Sequence, residues 1–223
     1  MTILAPNFTF SKTIETDAAE VSVAQTQLIT VEVNDLDIFY RKAGSPKNLT
    51  IVLLHGLPTS SHMYRNLIPQ RTENYHVIAS DYSRFGNSSM PSLERYKYSF
   101  DNLSATMDAF LNTVGPKKYT LYVMDYSAPV GFRIAAKHPE RLEGLVIQNG
   151  NAYDEGLRDF WKPIRDYWNE KPADNAQKNR DNLLTIGAAK WQYTNGTRNE
   201  SVISPDNWIV DQSKLDRPGN KDI

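Results

Sequence analysis

The chain has no cysteine, which excludes disulfides, thiolate metal sites and a cysteine nucleophile together. It has no Gly-x-Ser-x-Gly turn, so the usual serine elbow is absent as well. Acidic and basic residues nearly cancel, leaving a net charge of −1. That balance gives no reason to expect a nucleic-acid partner. No apolar run approaches membrane-spanning length, and Met1-Thr2-Ile3-Leu4-Ala5-Pro6 lacks the basic start and apolar stretch of a secretory signal. By exclusion, a soluble cytoplasmic protein without membrane contact is expected. No metal cluster, phosphate loop or nucleotide fingerprint occurs, so no cofactor is implied. Histidine is scarce too: only four are present, and none follows His138.

What is present is a strand–helix alternation. Gln27–Val33 and Leu36–Arg41 are β-rich runs separated by Asn34-Asp35, a hairpin signal. Leu49–Leu54, Tyr75–Ser80, Tyr119–Met124 and Leu142–Gln148 are apolar and rich in branched side chains, the composition of strands buried on both faces. Between them, Ser61–Ile68, Phe100–Val114 and Tyr126–Lys137 have helical character, with Gly115-Pro116 and His138-Pro139 as stops. This order predicts an α/β fold with parallel βαβ units behind an antiparallel hairpin.

After Gly150 the composition changes to Trp, Tyr, Asn and Asp. Helices are expected around Leu157–Trp168, Asn175–Ile186 and Pro205–Asp211, with no further buried strand. Three regions follow: an N-terminal arm (residues 1–26), an α/β core (27–152) and a helical lid (153–223).

Two turns point to chemistry. Asp125 ends the strand Tyr119–Met124 and immediately precedes a helix. A sharp turn there would present its carboxylate at the carboxyl end of a parallel strand, with the helix N-terminus behind it. The competing reading is that Asp125 is an ordinary helix N-cap, a position aspartate favours. His55-Gly56-Leu57-Pro58 directly follows Leu49–Leu54. Glycine allows the backbone to turn, and the Leu57 N–H could then point into the cleft. With the N–H of Tyr126, it would form a two-donor oxyanion hole. An ordinary strand-to-loop turn is the alternative for this segment taken alone.

Together these segments resemble the α/β-hydrolase superfamily, in its epoxide hydrolase and haloalkane dehalogenase branch that uses an aspartate nucleophile. The matching stretches are His55–Ser61 with Tyr64–Pro69, Ser80–Ser88, the Asp125 turn and Lys137–Leu142. The resemblance covers residues 27 to about 150 and extends more loosely into the lid. It implies a mostly parallel sheet with a helical lid, Asp125 as nucleophile, Leu57 and Tyr126 as oxyanion donors, and a small apolar organic substrate. His55, Gly56 and Pro58 would line the substrate site from the core. Tyr153, Tyr167 and Tyr193 would do so from the lid, as phenols able to donate to an opening epoxide oxygen.

The chain departs from the family at several positions. Val123 and Ser127 stand where the elbow usually has glycine, and Arg84 replaces the usual glycine of the Phe85-Gly86-Asn87-Ser88 turn. Tyr126 and Leu57 replace the tryptophan and asparagine that hold halide in dehalogenases. The family's ester-hydrolysing histidine lies beyond the lid, as do its last strands. None of His55, His62, His76 and His138 is in that position, although His62 falls near the cleft. The resemblance therefore implies a C-terminally truncated member with an open sheet edge and exposed apolar surface. A second polypeptide or a read-through product would supply the missing strands and histidine. The alternative is a fragment that binds a ligand or partner without catalysis.

Overall fold

The computed structural model describes residues 25–170 and 173–221. Residues 1–24 of the expected arm lie outside that range. The chain forms strands β1 (Gln27–Val33), β2 (Leu36–Ala43), β3 (Leu49–Leu54), β4 (Tyr75–Ser80), β5 (Tyr119–Met124) and β6 (Leu142–Gln148). The helices are α1 (Phe100–Val114), α2 (Ser127–Lys137), α3 (Lys162–Glu170), α4 (Ala173–Leu183), α5 (Ile186–Thr194) and α6 (Asp206–Leu215).

All six strands join one sheet in the order β1-β2-β4-β3-β5-β6. β1 and β2 are antiparallel, and β2 runs antiparallel to β4. β4, β3, β5 and β6 are mutually parallel. The hairpin at Asn34-Asp35 forms as expected, because both residues take positive φ (51° and 61°), the conformation that matches the twist of the flanking strands.

Helix α1 has its sequence-expected bounds. The Ser99 side chain accepts from the Asn102 N–H, and Gly115 closes the helix at φ 88°. Leu103, Met107, Phe110 and Leu111 of α1, with Val130 and Ile134 of α2, pack on one sheet face against Val52, Leu54, Ile78 and Leu121. The other face is covered more lightly, by Tyr64 and Ile68 over Leu53, Val77 and Ala79.

Three expectations are corrected. Ser61–Ile68 is not a full helix: Ser61–Tyr64 is a single 3₁₀ turn followed by tight turns. β6 is an edge strand, not a buried one, with Leu145, Val146 and Ile147 exposed to solvent. Beyond Gly150 the chain is helical, but the span expected as one helix breaks at Leu184-Thr185. There Thr185 caps α5 by accepting from Ala188 N–H. Among the described residues, no helix is long and apolar enough to cross a membrane.

The parallel register sets the site. Leu54 pairs with Ser80, and Met124 with Gln148. The segments leaving β3, β4, β5 and β6 therefore emerge along one edge, where open α/β sheets bind ligands.

Candidate active site

Asp125 occupies the turn between β5 and α2 with φ 46°, in the left-handed region where a non-glycine residue is strained by roughly 1–3 kcal/mol. The carboxylate does not cap the helix. The N-cap is Tyr126, which makes no side-chain capping bond. Instead, the Leu57 N–H donates to Asp125 Oδ1 at 2.9 Å. Asp125 and Leu57 are both solvent-exposed. The acid is therefore held by one oxygen and open at the other, beside the N-terminal end of α2.

The strained turn is supported from beneath. Ser127 Oγ accepts from Met124 N–H at 2.7 Å and donates toward the carbonyls of Leu54 and Met124. A serine thus stands in the usual glycine position without leaving a buried polar group unpaired. Val123, the other departure, is fully buried against the backbone of Gly131 in α2.

Gly56 lies against the acid. A Cβ added there would sit 2.8 Å from both Asp125 Cβ and Oδ1, so only glycine permits this approach. The following Leu57–Pro58 peptide is cis.

His55 is not a substrate-facing residue. It is fully buried, and both ring nitrogens meet backbone groups. Tyr82 N–H donates to Nε2 at 3.2 Å, and Nδ1 lies 2.9 Å from the Gly56 carbonyl. Because Tyr82 N–H can only donate and Gly56 O can only accept, the ring is neutral with its proton on Nδ1. Burial lowers its pKa, which favours the same form. The ring holds the Gly56 carbonyl, and the N–H of the same peptide belongs to Leu57 and points at Asp125.

Asp81, which no sequence pattern marks, anchors both neighbouring loops. Its buried carboxylate accepts from Ser61 N–H at 2.7 Å and from Asn87 N–H at 2.8 Å. Gly86 is required beside it, since a Cβ there would fall 2.0 Å from Asp81 Oδ2. No local sequence signal reveals this role, because the donors come from two separate loops.

Tyr126 packs between the rings of Phe85 and Phe100. Its phenol is pushed up to about 12, by burial first and then by Asp125. The other tyrosines do not gather around the acid in the expected way. Tyr153 is 79% exposed. Tyr167 is half-buried on α3. Tyr193 donates its only proton to Asp211 Oδ2 at 2.7 Å. Asp211 is itself buried, and its pKa is raised to about 6, chiefly by that burial.

None of the histidines presents a free base to the acid. His62 turns toward Asp206, 3.5 Å away, with its pKa lowered by burial and then by Arg65 and Arg41. His76 starts β4 beside Thr50, and His138 ends α2 against Asp108. Both lie at the opposite edge of the sheet.

The Leu57 and Asp125 geometry is thus a loop N–H aimed at a strained, exposed acid on a strand–helix turn. The profile of the alpha/beta hydrolase fold family matches residues 50–202. The chain belongs to the α/β hydrolase fold family. An uncharacterized hydrolase of Saccharomyces cerevisiae is 42% identical over 197 residues, 86% of this chain and 67% of that protein. A haloalkane dehalogenase of Mesorhizobium japonicum is 32% identical over 130 residues, 58% of this chain but only 41% of the relative. Among solved structures, an epoxide hydrolase of Vigna radiata superposes with a TM-score of 0.67 at 20% identity, covering 87% of this chain and 68% of that one. This α/β hydrolase therefore spans about two thirds of the yeast relative and less than half of the rhizobial one.

Proposed function

We propose that this α/β hydrolase uses Asp125 as a carboxylate nucleophile on a small apolar electrophile, a haloalkane or an epoxide, to form an alkyl ester. The observation behind this reading is the strained, exposed Asp125 with Leu57 N–H on Oδ1. The dehalogenase and epoxide hydrolase among its relatives support the substrate class.

The chemistry follows from the geometry. With Oδ1 anchored, a lone pair on Oδ2 attacks the substrate carbon. A carbon–oxygen bond forms as the carbon–leaving-group bond breaks, and that electron pair departs on halide or on the ring oxygen of an epoxide. Attack of water on the ester carbonyl would then place negative charge on Oδ1, where the N–H groups of Leu57 and Tyr126 are suited to receive it. Gly56 allows this contact, while His55 and Asp81 hold the loop that makes it. The helical region from Tyr153 onward would serve as the lid, with Tyr167 as its half-buried phenol. Tyr193 is disfavoured as a donor to substrate while Asp211 takes its proton. Pro58 lines the loop beyond Leu57.

A second reading is binding without turnover. It is favoured by the four histidines, each engaged away from Asp125. Intact mass after exposure to bromoalkanes and epoxides tests the first reading, with Asp125→Asn alongside. One adduct per chain, absent in the mutant, is expected. Equal labelling of wild type and mutant would reject Asp125 as nucleophile. Steady product release by the purified chain would exclude binding alone.

A further inference from the structure

Arg84 stands where the family resemblance implies glycine, and its backbone is left-handed, with φ 80°. A left-handed arginine is strained, so a compensating interaction is expected. The residue is only 4% exposed. A buried guanidinium must satisfy its donors, and here the partners are backbone carbonyls. Arg84 donates to Gly219 O and, at 3.4 Å, to Asn220 O, with its guanidinium 4.8 Å above the Tyr98 ring. The contact is reciprocal: Arg217 donates to the carbonyl of Arg84. One residue thus grips the segment after α6 with its side chain and is gripped through its backbone.

The same loop leads to the oxyanion turn. Arg84 N–H donates to Ser89 O at 2.8 Å, closing a loop whose Asn87 N–H binds Asp81. Asp81 also takes Ser61 N–H, just beyond the His55–Pro58 turn. Lys214 near the end of α6 donates to Asn87 Oδ1 at 2.8 Å. At the start of α6, Arg65 donates to Asp206 and Asn207, both at 2.7 Å. The helix is therefore tied at both ends to two loops, and those loops meet on one buried carboxylate.

We propose that Arg84 is a positioning residue that couples the docking of α6 to the orientation of the Leu57 N–H at Asp125. This rests on the reading of Leu57 as the oxyanion donor. Strain at Arg84 is tolerated because the side chain fastens residues 217–220, and that fastening keeps the Asp81 node and the oxyanion turn in register. Glycine would relax the backbone but release the strap.

The test is amide hydrogen exchange and ¹H–¹⁵N NMR on the whole chain, comparing wild type with Arg84→Gly. Glycine suits φ 80°, so the loop itself is expected to keep its path. Exchange across residues 206–221 should rise about tenfold or more, as expected when a buried cation loses its hydrogen bonds. The Leu57 amide resonance should move, while the β3, β4 and β5 amides keep their protection. Arg84→Lys, which retains charge without the fork, should fall between the two. Unchanged exchange over 206–221 overturns the proposal, and so does a loosened strap with an unmoved Leu57 amide. Should Arg84→Gly not fold, Arg217→Ala breaks the reciprocal bond from the other side and must give the same pair of changes. These readouts need no covalent chemistry at Asp125, so a failed adduct experiment leaves this question separate.

Discussion

Gly131 makes the room that Val123 occupies. A Cβ at Gly131 would lie 2.2 Å from Val123 Cγ1 and 3.2 Å from Leu121 Cδ2. The family resemblance implies a small residue on the strand, two before the acid. Here the small residue sits on the helix that crosses the strand, and the strand carries the bulk. Close-packed interiors allow such an exchange only as a pair.

Gly131→Ala should therefore destabilise the protein by about 1–3 kcal/mol through overpacking, although alanine is the better helix former. Adding Val123→Ala should recover much of that loss. A urea-unfolding double-mutant cycle should give a coupling above about 1 kcal/mol, whereas independent sites add to within a few tenths. Simple additivity would contradict the paired arrangement.

Gly56→Ala should act on chemistry more than on folding. Its Cβ would meet the Asp125 side chain, which must then shift away from Leu57 N–H. Labelling by an alkyl bromide should slow by about 100-fold, the order of loss expected when a reacting group is displaced by about an ångström. Circular dichroism should be unchanged. A labelling rate equal to wild type would mean that the close approach of Gly56 has no bearing on reactivity.

The strands and α1 were legible because their signals are local: branched apolar runs for β3, β4 and β5, Asn34-Asp35 for the hairpin, and Ser99 with Gly115 around α1. The Asp125 turn was legible as a candidate, but only the contact from Leu57 separates it from an ordinary cap. What escaped the sequence depends on distant partners. The apolar content of β6 resembles that of β3, and hydrophobicity cannot reveal which neighbours a strand lacks. The position of His55 after β3 suggests a cleft residue, but Tyr82 and Gly56, from separate turns, occupy its nitrogens. Asp81 binds donors 20 and 6 residues away along the chain, a relation with no periodicity to detect. The break at Thr185 did leave a local signal, a threonine cap, which the surrounding helical composition obscured.

Asp211 should make stability fall as pH rises through its range. Its folded pKa is raised to about 6 from an ordinary 3.8 by burial, so between these values the folded state binds more protons than the unfolded state. Its contribution is fully present below about 3.8 and is lost above about 6. The groups facing it are Tyr193 from α5, Arg65 beyond the Ser61–Tyr64 turn and Asp81 after β4. Asp211→Asn keeps an acceptor for Tyr193 and removes the charge. Stability of the wild type relative to this variant should drop between pH 4 and 6.5 by up to about 3 kcal/mol, from a shift of roughly two units, and level off above. A pH-independent difference would place the ionised carboxylate in a well-solvated setting.

The His55 ring sets the orientation of the Gly56–Leu57 peptide. The imidazole must accept at Nε2 from Tyr82 N–H and donate from Nδ1 to Gly56 O, which requires the Nδ1–H tautomer. ¹⁵N NMR of labelled protein at neutral pH should show an unprotonated Nε2 and a protonated Nδ1. Because burial lowers its pKa below the ordinary 6.5, the ring should stay neutral as pH falls through that value. The stability contribution of His55 is present above about 6.5 and declines as pH falls toward the lowered folded value, because the unfolded chain then binds the extra proton. Protonation would place a second N–H against Tyr82 N–H, break that contact, and free the Gly56–Leu57 peptide to rotate. The Leu57 amide resonance should therefore move in step with His55 protonation in acid. An Nε2–H tautomer at neutral pH would mean that the Tyr82 contact is not a hydrogen bond, and that something other than this ring aims Leu57 at Asp125.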